Sequence, residues 1–100
     1  MSRGDHMTLF FVQHQHDAAS CPSGDARVAP QLLQLLASAP QFGVTVLADA
    51  VVDGAHELNL IAMADQSERL EEFMAPFSRF GLVSIRPASH CESVVSRGHC

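Results

Sequence analysis

The sequence predicts one α+β domain whose four strands and two helices follow in the order β-α-β-β-α-β, with a single antiparallel sheet and both helices on one of its faces. Short β-branched and aromatic runs alternate with runs in which leucine and phenylalanine recur at helical spacing. Asp53-Gly54 joins two of the strand-like runs, as expected for a tight hairpin. A chain of 100 residues has the length of one small domain.

The first half of this pattern contains one strand, one long loop and one helix. Thr8 to His14 is apolar, aromatic and β-branched, which predicts the first strand. Residues 15–27 are rich in Ser, Asp, Gly and Pro and are expected to form a loop. Pro30 suits the first turn of a helix because its missing N–H needs no partner there, and leucines then recur at helical spacing until Pro40.

A hairpin is expected after the first helix. Residues 44–52 and 55–64 are β-branched and apolar, which predicts two strands on either side of Asp53-Gly54. A two-residue turn of type I′ needs positive φ at both central positions, and the Asp-Gly pair favours it. Such a turn would set Val51 opposite His56.

The second helix is predicted from its ends and its periodicity. Asp65 and Glu68 have the spacing of a capping box, and apolar residues follow at helical intervals. Pro76 lies inside this run and is expected to weaken the last turn. Gly81 is well placed to cap the C-terminal end of the helix.

The fourth strand and the two ends of the chain set the predicted domain bounds. Residues 82–86 predict a strand that Pro87 stops. The N-terminal residues precede a second methionine and resemble an expression-vector remnant, so residues 1–7 are expected to be a tag remnant or a disordered N-terminus. Residues 8–87 would then form the folded domain, and residues 88–100 a C-terminal tail containing cysteine and histidine.

Composition and charge exclude several classes of function. The net charge is −5, with six scattered arginines and no lysine, so we expect no nucleic-acid partner and no lysine Schiff base. There is no glycine-rich phosphate loop or dinucleotide fingerprint, so no nucleotide cofactor is expected. No apolar run reaches the roughly 20 residues that span a bilayer, and no secretion signal is visible. These features predict a cytoplasmic protein without a membrane partner, in which three cysteines serve as thiols or metal ligands.

Both faces of the predicted sheet are apolar. In the third strand, Leu58 and Leu60 alternate with Ile61 and Met63. Helices cover only one face, and burial of apolar surface contributes about 25 cal/mol per Å². We therefore expect a second copy of the chain to cover the other face in a homodimer.

The order of the elements is that of the ferredoxin-like pattern. With a first strand that ends in His14 and a fourth that ends at Pro87, residues 8–87 resemble the dimeric α/β-barrel superfamily, including small uncharacterised bacterial members of which some are proposed to bind nickel. The resemblance implies two domains packed sheet to sheet. The superfamily includes monooxygenases, isomerases, haem-degrading enzymes, dechlorinating enzymes and small-molecule sensors, so the fold alone selects no function.

Histidine and cysteine residues provide the main functional signal. His14 and His16 are two residues apart at the end of a strand, so their side chains should share one face. Paired imidazoles suit zinc, copper or nickel, and Cys21 in the following loop can fold back as a third ligand. In the predicted topology the end of the first strand lies at the same sheet edge as the hairpin, so His56 is expected at this edge too, as a partly buried histidine on the side of Leu58 and not as one of the ligands.

Cys91 and Cys100 in the tail are predicted as additional ligands of the same metal. The fourth strand ends at the opposite edge of the sheet, so the tail must double back to reach the cluster. The nine residues that follow Cys91 can span about 30 Å when extended. A short helix over residues 92–97, capped by Gly98, would reduce this reach.

The first hypothesis is therefore a small metal-handling or metal-sensing protein, because a set of His and Cys ligands without an acid-base partner favours a closed site. A second is a dimeric-barrel enzyme of monooxygenase or isomerase type. It would use His14 or His16 as base and Cys21 as a nucleophile activated by the first helix, with Asp17 or Asp25 as the orienting group. A third is a non-catalytic module that binds a small molecule or a protein partner, in which the cysteines are incidental.

Overall fold

The structure, a computed structural model, describes residues 7–21 and 25–100. The strands and helices are β1 (Thr8–Gln15), α1 (Ala29–Ala37), β2 (Thr45–Val52), β3 (Glu57–Ala64), α2 (Ser67–Met74), β4 (Leu82–Ala88) and α3 (Cys91–Arg97), with 3₁₀ turns at Ala18–Ser20, Ala39–Phe42 and Ala75–Arg79. The predicted tag segment before Met7 and residues 22–24 of the predicted loop lie outside this range. Within the described part of the chain, no helix is long and apolar enough to cross a membrane.

The four strands form one antiparallel sheet in the order β2-β3-β1-β4. β1 and β2 run in one direction and β3 and β4 in the other, as the sequence predicts. At the C-terminal end of β1, Gln15 pairs with Glu57 on one side and with Leu82 on the other. The α+β class and the four-stranded antiparallel sheet are confirmed, and this end of β1 lies beside the start of both neighbouring strands.

The core lies between one face of the sheet and α2. Its buried apolar side chains come mainly from the two central strands, from α2 and from the turn that follows it: Phe10, Val12, Ala39, Val44, Leu60, Ala62, Ala64, Leu70, Phe73, Met74 and Phe77. α1 contributes no fully buried side chain, and its leucines pack only at the margin of this core. The domain is therefore tightly packed under α2 and loosely packed under α1.

The hairpin between β2 and β3 differs from the predicted two-residue turn. Strand pairing ends at Val52 opposite Glu57, so a four-residue connection separates the strands. Gly54 has a φ of 77° and His56 a φ of 53°, whereas Asp53 is not among the residues with positive φ. Type I′ geometry requires positive φ at both central positions. Because Asp53 does not adopt it, the chain needs a second left-handed residue, and His56 supplies it before pairing resumes.

The predicted capping box of α2 is wrong. The N-cap is Gln66, which makes no side-chain cap hydrogen bond. The Asp65 carboxylate instead lies 3.4 Å from the Arg69 guanidinium, one turn along the helix. The α-helical turns stop before Pro76, and a 3₁₀ segment continues to Arg79, which confirms the weakened last turn.

Gly81 has a different role from the predicted helix cap. Its φ is not positive, so it does not form a left-handed cap. A Cβ atom at this position would instead collide with the backbone carbonyl of Gln15 and approach the His16 Cβ to 3.0 Å. The absence of a side chain thus allows β4 to begin directly against the end of β1.

Pro87 lies inside β4 and does not end it. β4 is an edge strand paired only with β1, where a residue without an N–H is tolerated. The tail forms α3, which ends at Gly98 with a φ of 81°. The Arg97 guanidinium donates hydrogen bonds to the Ser89 hydroxyl and to the carbonyls of His99 and Cys100.

The open face of the sheet is half apolar and half polar, not apolar throughout. By strand alternation its more apolar end carries Leu9, Phe11, Ile61 and Met63 beside Arg86, and its more polar end carries Gln13, Gln15, Glu57, Asn59 and Ser84 together with Val52 and Leu82 of the edge strands. The Glu57 carboxylate accepts hydrogen bonds from Asn59 at 3.0 Å and Gln15 at 3.2 Å, and these amides lower the pKa of Glu57. The Arg86 guanidinium lies 5.3 Å from the Phe11 ring centroid.

Candidate metal centre

His14 is in β1 and His16 follows the end of that strand, and their ring centroids lie 5.3 Å apart. Nε2 of His14 donates a hydrogen bond of 2.8 Å to the Phe77 carbonyl, and the His14 side chain is only 3% exposed. Burial lowers the pKa of this imidazole, the Phe77 carbonyl partly offsets the shift, and His16 adds to the lowering. His14 therefore uses one ring nitrogen to hold the 3₁₀ segment after α2 against the sheet.

His16 follows β1 directly and packs between two other imidazoles. Its ring centroid lies 5.3 Å from that of His14 and 5.3 Å from that of His56. Its backbone N–H donates to the His56 carbonyl at 3.2 Å, which ties the loop after β1 to the hairpin. Both ring nitrogens of His16 are buried, and neither has a hydrogen-bond partner among the described residues. Each such buried polar atom costs about 1–3 kcal/mol, and coordination to a metal would remove this cost for the one nitrogen that binds the ion.

Two separate local structures bring Cys21 and His56 to the same place. Cys21 ends the 3₁₀ turn Ala18–Ser20, where its N–H donates to the Ala18 carbonyl at 3.3 Å. His56 occupies the left-handed region, which is uncommon for a residue other than glycine. Both side chains are half-buried.

His16, Cys21 and His56 form a group that can hold a metal ion, because their ligand atoms all lie within 4.8 Å of one another. Nitrogen and sulfur ligands on one tetrahedral zinc lie about 3.4–3.6 Å apart, given bonds of about 2.0–2.3 Å. Small rotations of the side chains therefore suffice to close the site. A thiolate with two imidazoles suits zinc, copper or nickel, as the sequence predicts.

A cavity of about 460 Å³ adjoins this group, and all three residues line it. α1 forms one wall with Leu32, Leu33 and Leu36, while the hairpin strands contribute Val51 and Leu58. The loose packing of α1 described above accounts for this space. The metal group therefore opens onto a largely apolar cavity.

The structure brings together only part of the predicted ligand set. His16 and Cys21 are in the group, together with His56, which the predicted topology had placed at this edge. His14 lies beside this group, but its ring bonds to the Phe77 carbonyl. Among the described residues, the metal-binding group does not include His14.

The tail thiols lie away from this group. Cys91 and Cys100 are free and exposed, and they stand at the two ends of α3. β4 begins beside Gln15 and ends with Ala88 beside Leu9, so it carries the tail to the opposite edge of the sheet. Because the tail folds into α3, it is too short to carry Cys100 back to the group, as the prediction of Cys91 and Cys100 as ligands required.

The arrangement does not assemble the Cys-His-Asp set of the enzyme hypothesis. α1 begins at Ala29, so Cys21 is not part of the first turn of that helix. The Asp25 carboxylate accepts hydrogen bonds from the N–H groups of Arg27 and Val28, at 2.8 and 3.3 Å. Asp17 is exposed. The histidines therefore have no carboxylate partner of the predicted kind.

No family model, no curated protein and no solved structure matches this chain. The resemblance to the dimeric α/β-barrel superfamily therefore stays a prediction. A function for the protein has to be argued from the geometry of its own site.

Proposed function

We propose that this protein binds one transition-metal ion through His16, Cys21 and His56 and serves in metal handling or sensing. The observation that carries the proposal is the convergence of their three ligand atoms within 4.8 Å. The buried ring nitrogens of His16 support it, because no described residue bonds to them. His16 and Cys21 come from the connection after β1 and His56 from the hairpin between β2 and β3, so the folded chain creates a site that no short stretch of it contains.

Each residue has a defined role in this site. Cys21 binds as a thiolate and offsets one positive charge of a divalent ion, whereas His16 and His56 bind as neutral imidazoles. Zinc is the first choice, with nickel and copper as the alternatives, since all three accept this ligand set. Three protein ligands leave one position of a tetrahedral ion for another donor, so the proposed site is open and not the closed site that the sequence predicts.

Elemental analysis of reduced protein, prepared without an affinity tag or chelator, tests the proposal. We expect about one zinc, nickel or copper per chain. His16→Ala, His56→Ala and Cys21→Ser should each lower this content several-fold. His99→Ala and Cys91→Ser make the same chemical changes at exposed positions outside the group and should leave it unchanged. Equal metal content in all five variants would overturn the proposal.

The fold and location are proposed on separate grounds. Read from edge to edge, the strand order 4-1-3-2 with a β-α-β-β-α-β chain order supports a ferredoxin-like domain. The apolar end of the open sheet face supports a homodimer formed sheet to sheet.

The free thiols of Cys91 and Cys100 are exposed, which favours a reducing compartment such as the cytoplasm.

A further inference from the structure

The cavity beside the metal group has the properties of a small-molecule site. Its volume of about 460 Å³ lies within the range of about 300–1,000 Å³ that is usual for ligand pockets. Leu32, Leu36, Val51 and Leu58 provide apolar walls from two sides. An apolar molecule would be stabilised there by the burial of its methylene groups.

The polar groups of the cavity restrict the charge of such a molecule. Cys21, as a thiolate, and Asp53 both line the cavity, and together they balance the charge of one divalent ion. The Glu57 carboxylate instead bonds to Asn59 and Gln15 on the open face of the sheet. An anionic head group would add negative charge to this balanced site, and a cationic one has no electron pair with which to coordinate. A neutral nitrogen donor avoids both penalties and suits the same metals as the imidazole ligands.

We infer that the cavity binds an uncharged molecule with an apolar body and a single nitrogen donor, and that this donor completes the coordination of the ion held by His16, Cys21 and His56. The inference rests on the proposed function, because the donor needs the ion. It also specifies what the protein would sense, because the site is fully occupied only when both the ion and the small molecule are bound.

Visible absorption of the cobalt(II)-loaded protein tests this inference with two probes, imidazole and 4-phenylimidazole. They share one donor group, and only the second has an apolar body. We expect both to change the cobalt spectrum and 4-phenylimidazole to bind at least about tenfold more tightly, because its phenyl ring is buried in the cavity.

Two variants of α1 test whether the apolar wall of the cavity causes the tighter binding of 4-phenylimidazole. Leu36→Gln places an amide in the cavity wall and should remove most of the preference for 4-phenylimidazole, while imidazole binds as before. Leu35→Gln is the matched control: it is the same change at a similarly half-buried leucine of the same helix that does not line this cavity. It should retain the wild-type preference.

The outcomes separate this inference from the proposal on which it rests. If cobalt does not bind in a His16-dependent manner, both are wrong. If cobalt binds but the two probes bind equally tightly, or the two leucine variants behave alike, only the inference is wrong. Calorimetry with metal-free protein completes the test, because equal affinity for 4-phenylimidazole without metal would overturn the role of the ion.

Discussion

His14 and His16 differ in function although they lie two residues apart in the sequence. The ring of His14 bonds to the Phe77 carbonyl, whereas the ring nitrogens of His16 have no partner among the described residues. A core histidine with a fixed acceptor maintains the fold. A histidine whose two buried nitrogens have no partner among the described residues is suited to be a metal ligand, and coordination would satisfy the nitrogen that binds the ion.

The burial of His14 predicts a pH dependence of stability in the metal-free protein. The pKa of its imidazole is lowered from 6.5 in the folded state, chiefly by burial. As the pH falls below 6.5, the unfolded state binds more protons than the folded state. The free energy of unfolding should therefore have its full value above pH 6.5 and decrease as the pH falls toward the folded-state pKa.

Denaturant unfolding at several pH values measures this effect, with His14→Gln as the comparison. Glutamine keeps an N–H donor for the Phe77 carbonyl but does not titrate. Because both proteins retain His16 and His56, the difference between their pH profiles isolates His14. Parallel profiles below pH 6.5 would show that His14 is not the cause.

Gly81→Ala should weaken both the fold and the metal site. The new Cβ collides with the Gln15 carbonyl and crowds the His16 Cβ, so β4 and the end of β1 must separate. Overpacking of this kind costs about 1–3 kcal/mol. Thermal unfolding and a metal titration should show a lower Tm and a weaker affinity.

Gly98→Ala is the control for this prediction. Gly98 has a left-handed φ at the end of α3 and no neighbour that a Cβ would meet, so the change should lower the Tm slightly without altering metal affinity. Equal effects of the two glycine variants on metal affinity would contradict the role given to Gly81.

At the level of the elements, α1 and α2 differ in how firmly they are held. α2 buries Leu70, Phe73 and Met74, whereas α1 has no fully buried side chain and covers a cavity. Local opening is easier where little apolar surface is buried. Hydrogen exchange should therefore be faster for the amides of α1 than for those of α2 in the metal-free protein.

Binding of zinc and 4-phenylimidazole should slow exchange in α1 selectively, since the proposed ligand packs against that helix. Exchange in α2 serves as the internal control. Equal protection of the two helices before any addition would contradict the loose packing inferred for α1.

The elements could be predicted from the sequence because they follow from local periodicity and from proline positions. The errors occurred where distant contacts decide the geometry. Asp53-Gly54 predicts a tight turn, yet the observed connection needs His56 in the left-handed region as well. Gly81 suggested a cap, and its close approach to Gln15 depends on strand pairing that no local pattern reveals.

For the site, alternation along β1 and the direction of the strands were enough to predict the shared edge of His16, Cys21 and His56. They could not predict that His14 would bond to Phe77, because that acceptor lies 63 residues away in the sequence. The position of Cys100 could not be predicted from the sequence either. An extended tail reaches much farther than a short helix, and the structure shows that the tail forms α3.

At the level of the whole molecule, the proposed homodimer predicts the effect of charge on the open sheet face. Ile61 is 42% exposed on this face, so an aspartate there should cost the single domain little but would be buried without a partner in a sheet-to-sheet dimer. Analytical ultracentrifugation at micromolar concentration should show a dimer for the wild type and a monomer for Ile61→Asp.

Val95→Asp is the matched control for the dimer. Val95 is 73% exposed on α3, outside the sheet, and its substitution should leave the dimer intact. A monomeric wild-type protein, or dissociation caused equally by both variants, would contradict the proposed mode of assembly.

The hydrogen bond from the His16 N–H to the His56 carbonyl links two connections that are distant in the chain. In the proposed site the ion adds a second link between them, so it acts as a reversible cross-link at one corner of the domain. Such a cross-link breaks when the loop after β1 and the hairpin move apart. The rate at which the protein releases its metal should therefore follow the rate at which the hairpin separates from the loop after β1, and a partner that separates these two connections would receive the ion.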